Sequence, residues 1–122
     1  MKKVTIYWDV DGVYNSFAGG PPTRLTKWTG RWTRKRVKDS MGKTYGIFWA
    51  EELVEAVNAL EELPNVTNKW VTTWQDDAQT IISPLLGLNG EEWEVIYCDD
   101  PHNINEHKYG WWNVRAIRSD AE

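Results

Sequence analysis

Residues 4–13 read VTIYWDVDGV, and the fold turns on this stretch. Its first five residues are β-branched or aromatic, the composition of a short buried strand. The run then stops in Asp9-Val10-Asp11-Gly12, residue types that form turns. The predicted strand therefore carries two carboxylates to its own C-terminal end. Further along, residues 48–63 (FWAEELVEAVNALEEL) place Leu53, Val54, Val57 and Leu60 at helical spacing, and Pro64 stops the helix. Residues 66–73 read as a second strand. Residues 76–86 read as a second helix, bent near Pro84 and ended by Gly87. A third strand, 93–98, follows the turn at Asn89-Gly90, and a last helix, 111–118, runs into a frayed acidic end. This order predicts an α/β fold with a short parallel sheet, in which ligands collect at the carboxyl ends of the strands.

The chain has 122 residues, 41% of them hydrophobic, which suits a single domain over 1–122. The net charge of −4 excludes a uniformly basic nucleic-acid coat. One cysteine, Cys98, cannot form an internal disulfide, and no apolar run resembles a signal-peptide core or a membrane span. A cytoplasmic protein is expected, in the host cytoplasm if phage-encoded, with no membrane partner. Nine tryptophans supply enough aromatic area to close the core of a short chain, so tryptophan content alone does not indicate ligand binding.

Charge is unevenly placed. The window 24–43 holds eight cations against one acid, Asp39, a net of +7 that leaves −11 on the rest. Residues 19–46 therefore form a basic, Trp-containing flap or hairpin inserted into an acidic body. Arg31, Arg34, Lys35 and Arg36, interleaved with Trp28 and Trp32, are its candidate contacts to substrate or partner. Such cations hold phosphates while indoles stack on bases. The plainer reading is a basic flap that balances the acidic body.

Two residues apart on an extended segment, Asp9 and Asp11 fall on the same side. Clustered carboxylates repel each other, so Mg²⁺ is the expected shared counter-charge. An acidic turn is the plainer alternative. Lys69 to Trp74 (KWVTTW) ends the second strand in hydroxyls.

An apolar strand ending in Asp-x-Asp-Gly-Val resembles the haloacid dehalogenase-like (HAD) phosphohydrolase superfamily. The run WVTTWQDDAQ…LLGLNG more closely resembles a HAD subgroup found beside RNA-repair modules and in actinobacteria and their phages. The resemblance covers about residues 3–15 and 47–118. It implies a Rossmann-like three-layer α/β/α architecture. It also implies that Asp9 is the nucleophile that forms an aspartyl-phosphate, and that Asp11 is the general acid and then base. Both aspartates would be Mg²⁺ ligands, Asp11 through its backbone carbonyl. Thr72, with Thr73 as fallback, would hydrogen-bond the transferring phosphoryl group, and Lys108, which precedes the last helix, would neutralise charge.

The sequence departs from that pattern at the family's final acidic motif. Only 14 residues follow Lys108, which reads as a fold truncated at its C-terminal side. Asp99 and Asp100 stand in as metal ligands only if their strand lies directly beside the first. In the family's order it lies two places away, roughly 10 Å at about 4.8 Å per strand, too far for coordination at about 2.1 Å. His102 and His107 match no strong zinc spacing, and a polar loop is the simpler reading.

Two functions follow. One is a Mg²⁺-dependent phosphatase acting on a phosphorylated small molecule, nucleotide or nucleic-acid end. The other is a catalytically degenerate HAD-like binding module, phage or actinobacterial, that contacts a protein or nucleic acid through its basic insertion. An exposed sheet edge would favour a homo-oligomer.

Overall fold

The computed structural model describes residues 2–15, 31–98 and 112–122. Along them lie β1 (Val4–Trp8), β2 (Trp32–Lys38), β3 (Thr44–Ala50), α1 (Glu51–Glu61), β4 (Val66–Trp70), a π-helical turn (Ala78–Ile82), α2 (Ser83–Leu86), β5 (Glu94–Val95) and α3 (Trp112–Ala121). The protein is a small α/β fold with a parallel sheet of order β1-β4-β5 and a separate antiparallel hairpin, β2-β3. β1 and β4 pair from Val4↔Val66 to Trp8↔Trp70, so their C-terminal ends emerge side by side.

Strand alternation sorts the sheet's side chains into two layers. Trp8, Val10, Trp70 and Val95 face a core shared with Ile47 and Trp49 of β3, Val54 and Val57 of α1, and Ile82 and Leu86. Tyr7, Val71, Ile96 and Cys98 face Trp112, Ala116 and Ile117 of α3. Indoles dominate the first of these layers, and most of their N–H groups are satisfied. Trp70 donates to Gly90 O at 2.8 Å, Trp8 to Asn68 Oδ1 at 2.8 Å, and Trp93 to Glu61 Oε2 at 2.8 Å. Truncating one buried indole to Ala costs about 3–5 kcal/mol. Gly90 is held to glycine by packing: a Cβ there would lie 2.8 Å from Ser83 Oγ and 2.9 Å from Trp70 Cζ2.

Several elements differ in extent from the sequence expectation. The helix begins at Glu51, because residues 48–50 continue β3 and pair with β2. Glu51 N then donates to Arg31 O, and Glu51 and Glu52 occupy the favourable first turn of the helix dipole. The hairpin accordingly spans Trp32–Ala50, beyond the expected end of the flap at residue 46. Residues 19–30 of that flap, with Trp28, lie outside the described residues.

β4 ends at Trp70, since Val71 N makes the last bond across to β1, at Trp8 O, and β1 goes no further. The bend near Pro84 takes a specific form. Pro84 has no N–H for the Thr80 carbonyl and its ring crowds that position, so the chain widens to π geometry just before it. Both N and Oγ of Ser83 donate to Ala78 O, and Gly87 ends α2 at φ 75°. β5 keeps only two ladder residues, with Ile96 N reaching Trp70 O at 2.8 Å. It lies beyond β4, two places from β1.

The acidic end of α3 is fastened rather than frayed. Asp120 accepts from Tyr7 Oη at 2.7 Å and from Lys69 Nζ at 2.9 Å. The Lys69 hydrogen bond holds the Asp120 carboxyl below the usual carboxylate range, and the same bond raises Lys69. Among the described residues no helix is long and apolar enough to cross a membrane.

Candidate active site

Asp9 follows the last residue of β1, and its partly exposed carboxylate accepts from Val10 N at 2.7 Å. Burial pushes the Asp9 carboxyl above its usual range, and the neighbouring charge of Asp11 adds to the rise. Hydrogen bonds from Val10 N, the Thr72 hydroxyl and Asp11 N oppose it. Thr72, just past the end of β4, is 1% exposed and also accepts from Trp74 N at 3.3 Å. The parallel register is what brings Asp9 and Thr72 together, from positions 63 residues apart in the sequence.

Asp11 sits in a tight turn in which Tyr14 N and Asn15 N both return to Val10 O, and Gly12 takes φ 81°. The carboxylate of Asp11 is held from two sides. Its Oδ1 accepts from Asn15 Nδ2 at 3.2 Å and its Oδ2 from the Trp74 indole at 3.3 Å. Asn15 Oδ1 in turn accepts from Phe48 N, tying this turn to the hairpin. Asn15 and Trp74 are positioning residues to which the sequence reading gave no role. The spacing of Asn15 four residues after Asp11 was a readable signal, whereas the Trp74 contact spans 63 residues and had none.

The tip of the hairpin arrives over the same edge. Ser40 N and Oγ both donate to Asp77 Oδ2, at 3.1 and 2.9 Å, and Tyr45 packs on Trp74 with ring centroids 4.9 Å apart. Between hairpin and strand ends lies an open cleft of about 360 Å³ lined by Asp11, Thr73, Trp74, Asp39, Asp76 and Asp77 among others. Asp9 and Thr72 are not in its lining. Gln75, also in the lining, takes φ 53°, the left-handed region that non-glycine residues enter at a cost and that clusters at functional sites.

The described lining holds four carboxylates and no cationic side chain. A phosphate dianion would be repelled from it without an added cation. Asp9 and Asp11 offer hard oxygen donors, and Mg²⁺ is commonly held by one or two carboxylates, with waters and substrate phosphate completing its shell. By donor chemistry these residues fit that ion, Asp9 through its carboxylate and Asp11 through its backbone carbonyl. Among the described residues no cluster of three metal-ligating side chains forms. Lys108, Asp99, Asp100, His102 and His107 lie outside the described residues.

The basic candidates separate. Arg31 turns back to α1, pairing with Glu55 at 2.7 Å and Glu52 at 3.5 Å, and so fastens the base of the hairpin. Arg34 and Arg36 share one face of β2 with Trp32, and alternation places Lys35 on the other. No protein-family model, curated protein or solved structure matches this chain.

Proposed function

We propose that the chain is a small HAD-like phosphohydrolase of Rossmann-like, three-layer architecture that removes a phosphoryl group through an aspartyl-phosphate. The substrate class is a phosphorylated small molecule, a nucleotide or a nucleic-acid end. The carrying observation is the placement of Asp9 and Thr72 at the adjoining ends of two parallel strands, with Asp11 held in place two residues on.

In this reading an Asp9 carboxylate oxygen attacks phosphorus, the ester P–O bond breaks, and Asp11 gives the leaving oxygen a proton. Water then attacks the aspartyl-phosphate, Asp11 takes its proton back, and inorganic phosphate leaves with Asp9 restored. Thr72 orients Asp9 and the phosphoryl oxygens, and Asn15 and Trp74 hold Asp11 in line. Asp9 and Asp11 would hold Mg²⁺, which supplies counter-charge to the phosphoryl group when bound. Lys108 has the charge-neutralising role; β5 lies two places from β1, so Asp99 and Asp100 have no metal role in this reading.

The test is phosphate release from an aryl phosphate and from a 3′-phosphorylated oligonucleotide, with and without Mg²⁺. Release that requires Mg²⁺ and is lost in Asp9→Asn supports the enzyme. A folded protein that releases none supports the second reading, a binding module whose catalysis has lapsed. The described cleft lining, with four carboxylates and no cationic side chain, favours that alternative.

A further inference from the structure

The two strands of the hairpin present unlike faces. Val37, Tyr45, Ile47 and Trp49 point inward and join the main core. The other face carries Trp32, Arg34, Arg36 and Lys38 on β2, opposite Ala50, Phe48, Gly46 and Thr44 on β3. Among the described residues no acid lies on it, and Asp39 in the adjoining turn is engaged by Met41 N and Lys43 N. Trp32 and Phe48 stack at 5.0 Å with planes 18° apart, and the Arg34 guanidinium lies 5.0 Å above the Phe48 ring. Beside this plate Arg36 is exposed and faces Gly46, where a side chain would meet nothing within 4 Å.

We propose that this outer face of the β2-β3 hairpin binds single-stranded nucleic acid. The cations recur every second residue, about 6.8 Å apart along a strand, an interval comparable to that of successive phosphates on an extended nucleic-acid strand. The aromatic plate offers unpaired bases a stacking surface, and the Gly46 gap lets a backbone approach closely. A duplex keeps its bases stacked inside and cannot use the plate. An anionic membrane would call for projecting aliphatic side chains, and among the described residues this face has none. The proposal does not depend on turnover at the strand ends, since a different surface carries it.

The test is fluorescence anisotropy of a labelled oligo-deoxythymidine strand with the full chain, each variant checked by near-ultraviolet circular dichroism. The wild type is expected to bind with a log–log salt slope of about −1.4, from Arg36 and Lys38 at about −0.7 each. Arg36→Glu with Lys38→Glu should weaken binding at least about tenfold. Gly46→Glu, which adds a carboxylate in open space, should act in the same direction. Lys2→Glu with Lys3→Glu, an equal charge change at exposed positions elsewhere, should cost less than about twofold. The proposal is overturned by absence of binding at low salt, by equal losses in the two double variants, by tighter binding of the duplex, or by equal affinity for phosphatidylserine vesicles.

Discussion

The parallel sheet and the hairpin use their glycines and charges in opposite ways. Gly90 lies beneath the sheet with no room for a methyl group, whereas Gly46 stands on the hairpin with open space around it. The sheet ends in carboxylates, and the hairpin's outer face carries three cations and, among the described residues, no acid. The acidic edge is built by long-range pairing of β1 with β4 and rests on a tryptophan-filled core. The basic face is built by local alternation on two strands. Chemistry that needs fixed geometry therefore belongs to the edge, and attraction of a flexible polyanion belongs to the hairpin.

The largest expected effect separates the two regions outright. Asp9→Asn should lower aryl-phosphate turnover by at least about a thousandfold while leaving oligonucleotide affinity unchanged, as steady-state kinetics and anisotropy on the same preparation would show. Loss of both together would mean that the regions are one site.

Next come the glycines. Gly90→Ala should destabilise the fold by about 1–3 kcal/mol through overpacking against Trp70 and Trp93. Gly46→Ala should be neutral or stabilising by up to about 1 kcal/mol, because it restricts the unfolded chain at no steric cost. Urea denaturation of both variants checks the pair, and equal destabilisation would contradict the contrast.

The smallest effect concerns the opposite layer of the sheet. The carboxyl of Asp120 is depressed, so its contribution to stability is present above the unfolded value of 3.8 and is lost as pH falls through the folded value. Lys69 is raised, so its share persists below 10.5 and is lost as pH rises through its folded value. Between these limits Asp120→Asn should cost less than about 1 kcal/mol, because the pair is partly solvated. Below the acid limit the variant and wild type should converge in thermal melts, and a gap that widens in acid would contradict this account.

Local pattern made part of the structure legible in advance. β1, the place of Asp9 at its end, and the helical face of Val54 and Val57 follow from two- and three-residue spacings. The parallel sheet followed from the order of elements. The hairpin's far end was hidden because Phe48, Trp49 and Ala50 suit either a strand or a helix start, and pairing with β2 decided between them. The split between Lys35 and its arginine neighbours was present in the sequence, but it could be used only once the segment was known to be a strand. The contacts of Trp74 with Asp11 and of Asp77 with Ser40 depend on where distant elements dock, which no local spacing encodes.

The central claim is that Asp9 becomes phosphorylated. Reductive trapping with borohydride during turnover of an aryl phosphate converts an aspartyl-phosphate to homoserine, which mass spectrometry locates in the sequence. The account predicts homoserine at position 9, dependent on substrate and Mg²⁺. Homoserine at position 11, or turnover with no trapped residue, would contradict it.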